Sequence, residues 1–154
     1  MKFKVVVVGG TFYPFHKGHK VLLKKAIEVG EEVIVGLTSD RFARRKRTLI
    51  KPYKIRKKTL AEFFKKEVTF EKVKITQISN HYGPTISDPN IEAIVVSPES
   101  RYRAEEINEL RKKANLEPLT IIEIPFVLAE NGEPISSAKI LKGIIDTEGR
   151  LCKK

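Results

Sequence analysis

The sequence has almost no cysteine and no tryptophan. Its one cysteine, Cys152, stands in a polar tail, so neither a disulfide framework nor a cysteine-based zinc site can form within one chain. No apolar run reaches the length of about 20 residues that a membrane span needs. The first residues continue directly into a strand pattern, without the cleavage site of a secretory signal. We therefore expect a soluble, cytoplasmic protein that does not associate with membranes.

The composition is that of one folded domain with an excess of positive charge. Hydrophobic residues make up 41% and charged residues 32%, a balance that supports a buried core and argues against intrinsic disorder. Lysine plus arginine outnumber aspartate plus glutamate by 30 to 19, giving a formal net charge of +11. Such a charge favours an anionic ligand, either a phosphorylated small molecule or a nucleic acid. We expect a single domain over residues 1–154.

Apolar runs typical of buried strands alternate with helical patterns along the chain. The strand patterns cover residues 4–8, 33–37, 73–78, 91–96 and 119–124. A helical pattern follows the first strand, and another begins near Ser97, with Ile107, Leu110 and Ala114 expected on its buried face. This alternation predicts an α/β fold with a parallel sheet covered on both faces. Its ligand is expected at the carboxyl ends of the strands.

Residues 41–58 are strongly basic, and we expect a mobile basic loop there. Four consecutive cations, Arg44-Arg45-Lys46-Arg47, would also suit nucleic acid. Aromatic residues make up only 8% of the chain and do not interleave with this cluster, so no base-stacking surface is evident. A charge run is ordinarily a solvated face, and we do not expect nucleic acid as a partner.

Two histidines stand three residues apart where the first helix is expected to begin. The rings of His16 and His19 can lie on one side of the helix start, where backbone N–H groups and the helix dipole favour an anion. Gly18 lets a phosphate approach the backbone closely. Because the stretch from Gly9 to His19 offers no Cys, Asp or Glu as a third ligand, it favours phosphate over a metal ion. The alternative is a plain capping turn with two surface histidines.

Two short motifs carry a resemblance to a known superfamily. The segment His16-Lys17-Gly18-His19 resembles the His-x-Gly-His signature of the nucleotidylyltransferases, and the run Ile135-Ser136-Ser137-Ala138-Lys139-Ile140 is similar to their Ile-Ser-Ser-Thr segment. Further similarity, to the archaeal and eukaryotic phosphopantetheine adenylyltransferases, lies in residues 94–100 with Ala104, Ile107-Asn108 and Arg111, in Lys51-Pro52-Tyr53 with Arg56, and in Tyr82-Gly83-Pro84. The resemblance spans nearly the whole chain.

This resemblance implies a fold and a reaction. The fold is a Rossmann-like, doubly wound parallel five-stranded sheet. The reaction is transfer of AMP from ATP to 4′-phosphopantetheine, giving dephospho-coenzyme A and pyrophosphate, so ATP, 4′-phosphopantetheine, dephospho-coenzyme A and coenzyme A are the expected partners. Magnesium is also implied, bound through the ATP phosphates, because no carboxylate pair marks a metal site held by the protein.

The resemblance also implies roles for individual residues. His19 is expected to stabilise charge on the α-phosphate, His16 to hold the neighbouring phosphates, and Lys51 to neutralise the acceptor phosphate. The expected ATP-binding residues are Gly10, Thr11, Phe12, His16, Gly18, Ser97, Pro98, Glu99, Ser136, Ser137 and Lys139. The expected acceptor-binding residues are Thr11, Lys51 and Arg56. Adenylyl transfer by in-line displacement needs two aligned anions and no covalent intermediate, which explains why no nucleophile–base pair is evident.

Plain structural roles stay open for three of these residues. Lys51 also fits an ordinary solvated lysine, Ser136 a helix N-cap, and Glu99 an acid that complements a helix dipole. The apolar run Phe126-Val127-Leu128 fits the core, a contact to the pantetheine arm or an interface, and we assign it to the core.

Three positions depart from the family pattern. Tyr13 replaces the usual Asp or Glu, Ala138 replaces Thr or Ser, and Leu141 replaces an expected arginine. Two alternatives stay open. One is a nucleotidylyltransferase for another phosphorylated acceptor, and the other is a nucleotide- or nucleic-acid-binding protein without turnover.

Overall fold

A single sheet of five parallel strands organises the protein. The computed structural model describes residues 2–67 and 70–153. The strands are β1 (Phe3–Gly10), β2 (Gly30–Thr38), β3 (Val73–Ile78), β4 (Ala93–Val96) and β5 (Thr120–Glu123). They lie in the order β3-β2-β1-β4-β5, and all neighbouring pairs are parallel. The prediction of a Rossmann-like, five-stranded parallel sheet is confirmed.

Helices cover both faces of the sheet, as a doubly wound fold requires. They are α1 (Lys17–Val29), α2 (Asp40–Ala43), α3 (Tyr53–Lys66), α4 (Arg101–Lys113) and α5 (Ser137–Leu141), with short 3₁₀ turns at Phe70–Lys72, Gly83–Ile86 and Pro98–Ser100. The alternation of side chains along β1 divides the core, because Val6 and Val8 pack beneath α1 and α3 whereas Val7 packs beneath α4. The direction of winding reverses between β1 and β4, so a ligand crevice is expected beyond their carboxyl ends.

The inner face of α4 differs from the prediction. Ala104, Ile107 and Arg111 are buried, whereas Leu110 is only partly buried and Ala114 is exposed. The Arg111 side chain, 1% exposed, donates hydrogen bonds to four backbone carbonyls, those of Thr85, Asp88, Ile91 and Glu117. This long cation takes the inward position where the sequence pattern expected leucine and alanine, because its donors find acceptors on the loops that precede β4 and β5.

Residues 41–58 do not form one loop. Helix α2 continues to Ala43, and α3 begins at Tyr53, so only residues 44–52 lie outside helices. The prediction of an unbroken loop is therefore wrong at both ends. Of the helices in the described part of the chain, none is long and apolar enough to cross a membrane.

The C-terminal segment returns to the start of α1 and packs as a unit of its own. Ala129, Ile135 and Ile145 form a third, small apolar cluster, and the Lys17 N–H donates to the Thr147 carbonyl at 2.8 Å. The assignment of residues 126–128 to the core is wrong for Phe126 and Leu128, which are 47% and 54% exposed, since the chain here runs along the surface between clusters.

Candidate active site

The start of α1 is built around a stacked pair of imidazoles. His16 is the N-cap, and its Nδ1 accepts the backbone N–H of His19 at 3.3 Å, while His19 Nδ1 accepts the backbone N–H of His16 at 3.2 Å. This reciprocal arrangement is a capping box made by two histidines. It places the rings 3.6 Å apart and nearly parallel. The prediction that both rings lie on one side of the helix start is confirmed.

The two backbone hydrogen bonds also fix the protons on the rings. Because each Nδ1 acts as an acceptor, the single proton of each neutral ring lies on Nε2. Burial lowers the pKa of His16 to about 4, and the charge of Arg47 adds to this shift. Burial lowers the pKa of His19 well below its usual range, and the charges of His16 and Arg47 contribute. At neutral pH the pair is therefore uncharged and retains two Nε2–H donors for a ligand.

The sequence analysis missed a structural reason for glycine at position 18. A Cβ at this position would lie 2.9 Å from Cε1 and 3.1 Å from Nδ1 of His16. Glycine at the second position of α1 therefore makes room for the cap imidazole itself.

The histidine pair lines a cavity of about 380 Å³ between the start of α1 and the start of α5. Its walls come from the α1 start, the loop after β4, the loop after β5 and the α5 start, and Arg47 joins them from the segment between α2 and α3. The lining residues are His16, Gly18, His19, Leu22, Arg47, Ser97, Pro98, Glu99, Ile124, Pro125, Phe126, Val127, Pro134, Ile135, Ser136, Ser137 and Ala138. Seven of the eleven expected ATP-binding residues line this cavity, namely His16, Gly18, Ser97, Pro98, Glu99, Ser136 and Ser137. The other four, Gly10, Thr11, Phe12 and Lys139, are not part of the lining, whereas His19, expected to act on the α-phosphate, is.

Ser136 and Ser97, which line the cavity, each cap the helical turn that follows them. Ser136 Oγ accepts the Lys139 N–H at 3.2 Å as the N-cap of α5, and Ser137 is buried. Ser97 and Ser100 form a second reciprocal cap after β4. The capping role expected for Ser136 and its position in the cavity are thus compatible. Lys139 turns away from the cavity, because its ammonium group bonds Glu133 at 2.8 Å and the Pro134 carbonyl at 3.3 Å.

Phe12 packs against the ring of His19. It is buried, adopts a positive φ of 52°, and its ring meets the His19 ring edge-on at a centroid distance of 5.2 Å. Phe15 stacks on His19 at 5.8 Å. These contacts hold the imidazole in place and account for its burial.

The residues expected to bind the acceptor form a separate hydrogen-bond network. Arg56, 1% exposed, donates to the carbonyls of Lys51 at 2.8 Å and Thr11 at 3.2 Å, to Thr38 Oγ1 at 3.2 Å, and to the Asp40 carboxylate at 3.0 Å. Thr38 in turn donates to Thr11 Oγ1 at 2.9 Å. Arg56 was expected to bind the acceptor, but its guanidinium is buried among protein acceptors, which favours a positioning role. It ties the backbone of Lys51, whose residue is exposed, to that of Thr11.

Arg47 is a charged cavity residue that the sequence analysis missed. It is partly buried, and its guanidinium donates to the Tyr13 carbonyl at 3.0 Å. The signal was present in the run of four cations, but a run of this kind was interpreted as a solvated face.

Three positions depart from the family pattern. Tyr13 contributes its carbonyl to the bond with Arg47, and Ala138 lines the cavity. Leu141, 42% exposed, lines a shallow groove beside residues 44–49. Within the described ranges, no three His, Cys, Asp or Glu side chains group as a metal site.

Comparisons with known proteins identify the family to which the chain belongs. The Cytidylyltransferase-like family model matches residues 7–143. A phosphopantetheine adenylyltransferase of Pyrococcus abyssi is 45% identical over 156 residues, covering 100% of this chain and 99% of its own, and that of Methanothermobacter thermautotrophicus is 43% identical over 154 residues, covering 99% and 92%. A crystal structure of a protein of unknown function from Archaeoglobus fulgidus superposes with a TM-score of 0.72 at 35% identity, covering 80% of this chain and 89% of that one.

Some relatives are longer. A bifunctional phosphopantetheine adenylyltransferase/NTP phosphatase of Thermoplasma volcanium is 45% identical over 150 residues, which are 97% of this chain and 45% of that protein. The chain therefore spans about half the length of the bifunctional relatives and nearly the full length of the other two.

Proposed function

This chain belongs to the phosphopantetheine adenylyltransferases of the cytidylyltransferase-like family, and from that premise we propose that it transfers AMP from ATP to 4′-phosphopantetheine. The products are dephospho-coenzyme A and pyrophosphate. One observation carries the proposal: a neutral histidine pair with two Nε2–H donors faces Ser136 and Ser137 across one cavity at the carboxyl edge of the sheet. That arrangement suits a polyphosphate chain with a reacting phosphorus at one end.

The displacement needs alignment more than acid–base chemistry. An oxygen of the acceptor phosphate attacks the α-phosphorus, and the bond from that phosphorus to the departing pyrophosphate breaks. The nucleophile is already an anion, so no residue has to remove a proton from it. The enzyme's task is to hold two anions in line and to stabilise the charge that develops on the oxygens of the α-phosphate.

Neutral histidines suit this task. Their Nε2–H groups donate to phosphate oxygens without titrating near pH 7, because burial keeps the pKa of both rings low. His19 is assigned to the α-phosphate, His16 to the neighbouring phosphates, and Ser136 and Ser137 to the far end of the triphosphate. Donors already held by backbone hydrogen bonds and aromatic contacts need little reorganisation as charge develops.

The acceptor is assigned to the side of the site where Thr11 and Lys51 lie. Arg56 joins the backbones of these two residues, so the segment after β1 and the start of α3 keep a fixed separation. Thr11 then presents its hydroxyl to the reacting phosphates, and Lys51 neutralises the acceptor phosphate. In this assignment Arg56 positions both residues and touches no substrate.

Magnesium enters this proposal with the nucleotide. The cavity offers imidazole N–H groups, hydroxyls and a single carboxylate, that of Glu99, and this donor set fits an ion that arrives on the ATP phosphates better than one caged by the protein. The ion supplies neutralisation of phosphate charge when bound.

The test is pyrophosphate release with ATP and magnesium across a panel of acceptors. The panel contains 4′-phosphopantetheine, nicotinamide mononucleotide, glycerol 3-phosphate and choline phosphate, with CTP in parallel. We expect release only with ATP and 4′-phosphopantetheine. Release with another acceptor, or with CTP alone, would transfer the assignment to a different nucleotidylyltransferase activity, and silence across the panel in a folded sample would contradict turnover.

A matched pair of histidine variants tests the assignment of the site. His19→Ala is expected to lose most turnover and keep the fold, because the ring supplies a donor to the reacting phosphate. His81→Ala is the control, since His81 is exposed and does not line the cavity. Equal turnover in the two variants would remove His19 from the mechanism.

A further inference from the structure

The cavity has to neutralise a polyanion with very few charges of its own. Within the described residues, its polar lining consists of two neutral imidazoles, the hydroxyls of three serines, one carboxylate, and the guanidinium of Arg47. The excess positive charge of the chain, +11, is therefore not concentrated in the lining of this cavity. Arg47 is the one lining residue of the described chain that carries a permanent positive charge.

Several cations that lie close to the cavity in sequence are engaged elsewhere. The Lys139 ammonium bonds Glu133 at 2.8 Å, and the Lys20 ammonium bonds Glu148 at 3.3 Å. Arg56 is buried in its own network, and position 141, beside the cation run, holds a leucine. None of these side chains lines the cavity.

Most N–H donors of the Arg47 guanidinium are left for a ligand within the described residues. A guanidinium carries five N–H donors, and the one hydrogen bond found for this group over residues 2–67 and 70–153 is the bond from Nη1 to the Tyr13 carbonyl at 3.0 Å. No carboxylate pairs with it in the same ranges. The bond to Tyr13 holds the side chain against the loop that leads into the histidine pair. It leaves the rest of the planar fork for a ligand.

The electrostatic effect on the histidines agrees with this placement. The positive charge of Arg47 contributes to the low pKa of both His16 and His19, so the guanidinium lies close enough to act on both rings. A phosphate that accepts from the two Nε2–H groups is therefore within the field of Arg47.

We propose that Arg47, the last residue of the cation run, binds the phosphate chain of the nucleotide directly. The inference deepens the proposed function and rests on a nucleotide being the ligand of the cavity. Arg47 supplies the charge-assisted, two-pronged hydrogen bonds that neutral histidines and serines cannot supply. Tyr13, where the family pattern has an acid, leaves the guanidinium without a competing carboxylate at that position.

The structure provides a matched control on the same segment. Arg44 is exposed and lines the shallow groove with Leu49 and Leu141, but it does not line the cavity. Arg44→Gln and Arg47→Gln remove the same charge from the same short segment. A difference between them therefore measures a local contact and not the loss of net charge.

The experiment is calorimetric binding of magnesium–ATP, tripolyphosphate and adenosine to the wild type and the two glutamine variants, with Arg47→Lys as a fourth protein. Arg47→Gln is expected to weaken ATP and tripolyphosphate about ten- to a hundredfold, the range for a lost charge-assisted contact. Adenosine binding is expected to stay unchanged. Arg44→Gln should stay within about twofold of the wild type, and Arg47→Lys should recover part of the loss because it keeps the charge without the fork.

A second measurement does not depend on ligand. The imidazole resonances of His16, followed by NMR across pH, should titrate at higher pH in Arg47→Gln than in Arg44→Gln, because the nearby positive charge is gone. Equal ATP affinity in the two variants would overturn the inference, as would a loss of adenosine binding as large as that of ATP, or a wild type that binds neither ATP nor tripolyphosphate.

These results are independent of the acceptor panel. A silent panel together with Arg47-dependent ATP binding would contradict the transferase activity and support the inference. Specific turnover with 4′-phosphopantetheine together with normal ATP affinity in Arg47→Gln would support the transferase activity and contradict the inference.

Discussion

Acidification is expected to destabilise the protein through His16. Its surroundings lower the pKa from 6.5 to about 4, so the unfolded chain takes up a proton at a higher pH than the folded protein does. The free energy of unfolding therefore falls as the pH falls from about 6.5 towards 4, and this contribution is fully present above that window. With about 1.36 kcal/mol per pKa unit, His16 costs about 2 kcal/mol at pH 5 and about 3 kcal/mol below pH 4, relative to pH 8.

The contribution of His16 can be isolated with His16→Asn. Asparagine keeps a side-chain oxygen that caps α1 but does not titrate in this range. Urea unfolding at pH 8 and pH 5 gives the loss of stability for each protein, and carboxylates that titrate in both proteins cancel in the comparison. The wild type should lose about 2 kcal/mol more than the variant. Equal losses would refute the reasoning, because the imidazole would then titrate alike in the folded and unfolded chains.

Two further substitutions test single contacts. In Gly18→Ala the His16 ring has to move by about 0.6 Å to regain a carbon–carbon distance of about 3.5 Å, so calorimetry should show ATP affinity about tenfold lower. Gly9→Ala, whose Cβ would be 3.6 Å from its nearest neighbour, should bind normally, and equal affinities would contradict the argument. Arg111→Met leaves four carbonyls without their donor and should cost about 3 kcal/mol or more in urea unfolding. Arg101→Met, an exposed change on the same helix, should cost less than about 1 kcal/mol.

The sheet and the histidine pair were predictable because both follow from short-range patterns. Buried parallel strands appear as apolar runs, and two histidines three residues apart at a helix start share one side by helical geometry. The serine cap of α5 is of the same kind. These features depend on residues within one turn or one strand of each other.

Buried arginines were not predictable in this way. Arg111 finds acceptors 20 to 26 residues away in the chain, and Arg56 joins residues on both sides of β2. Hydrophobic patterning gives no reason to place a guanidinium inside, so the pattern assigned the inward face of α4 to Leu110 and Ala114. Arg47 was missed for a related reason, since its neighbours in the cation run are exposed and the residues that line the cavity with it are distant in the chain.

The separate packing of the C-terminal segment has a consequence for ligand occupancy. The serine wall of the cavity belongs to the small cluster of Ala129, Ile135 and Ile145, whereas the histidine wall belongs to the main core, and Val127 packs against both. Local opening of the small cluster exposes few apolar side chains and leaves the sheet closed, so its free energy lies below that of global unfolding. A nucleotide that bridges the two walls adds its binding free energy to this local equilibrium. Occupancy of the cavity thereby sets how often the C-terminal segment detaches.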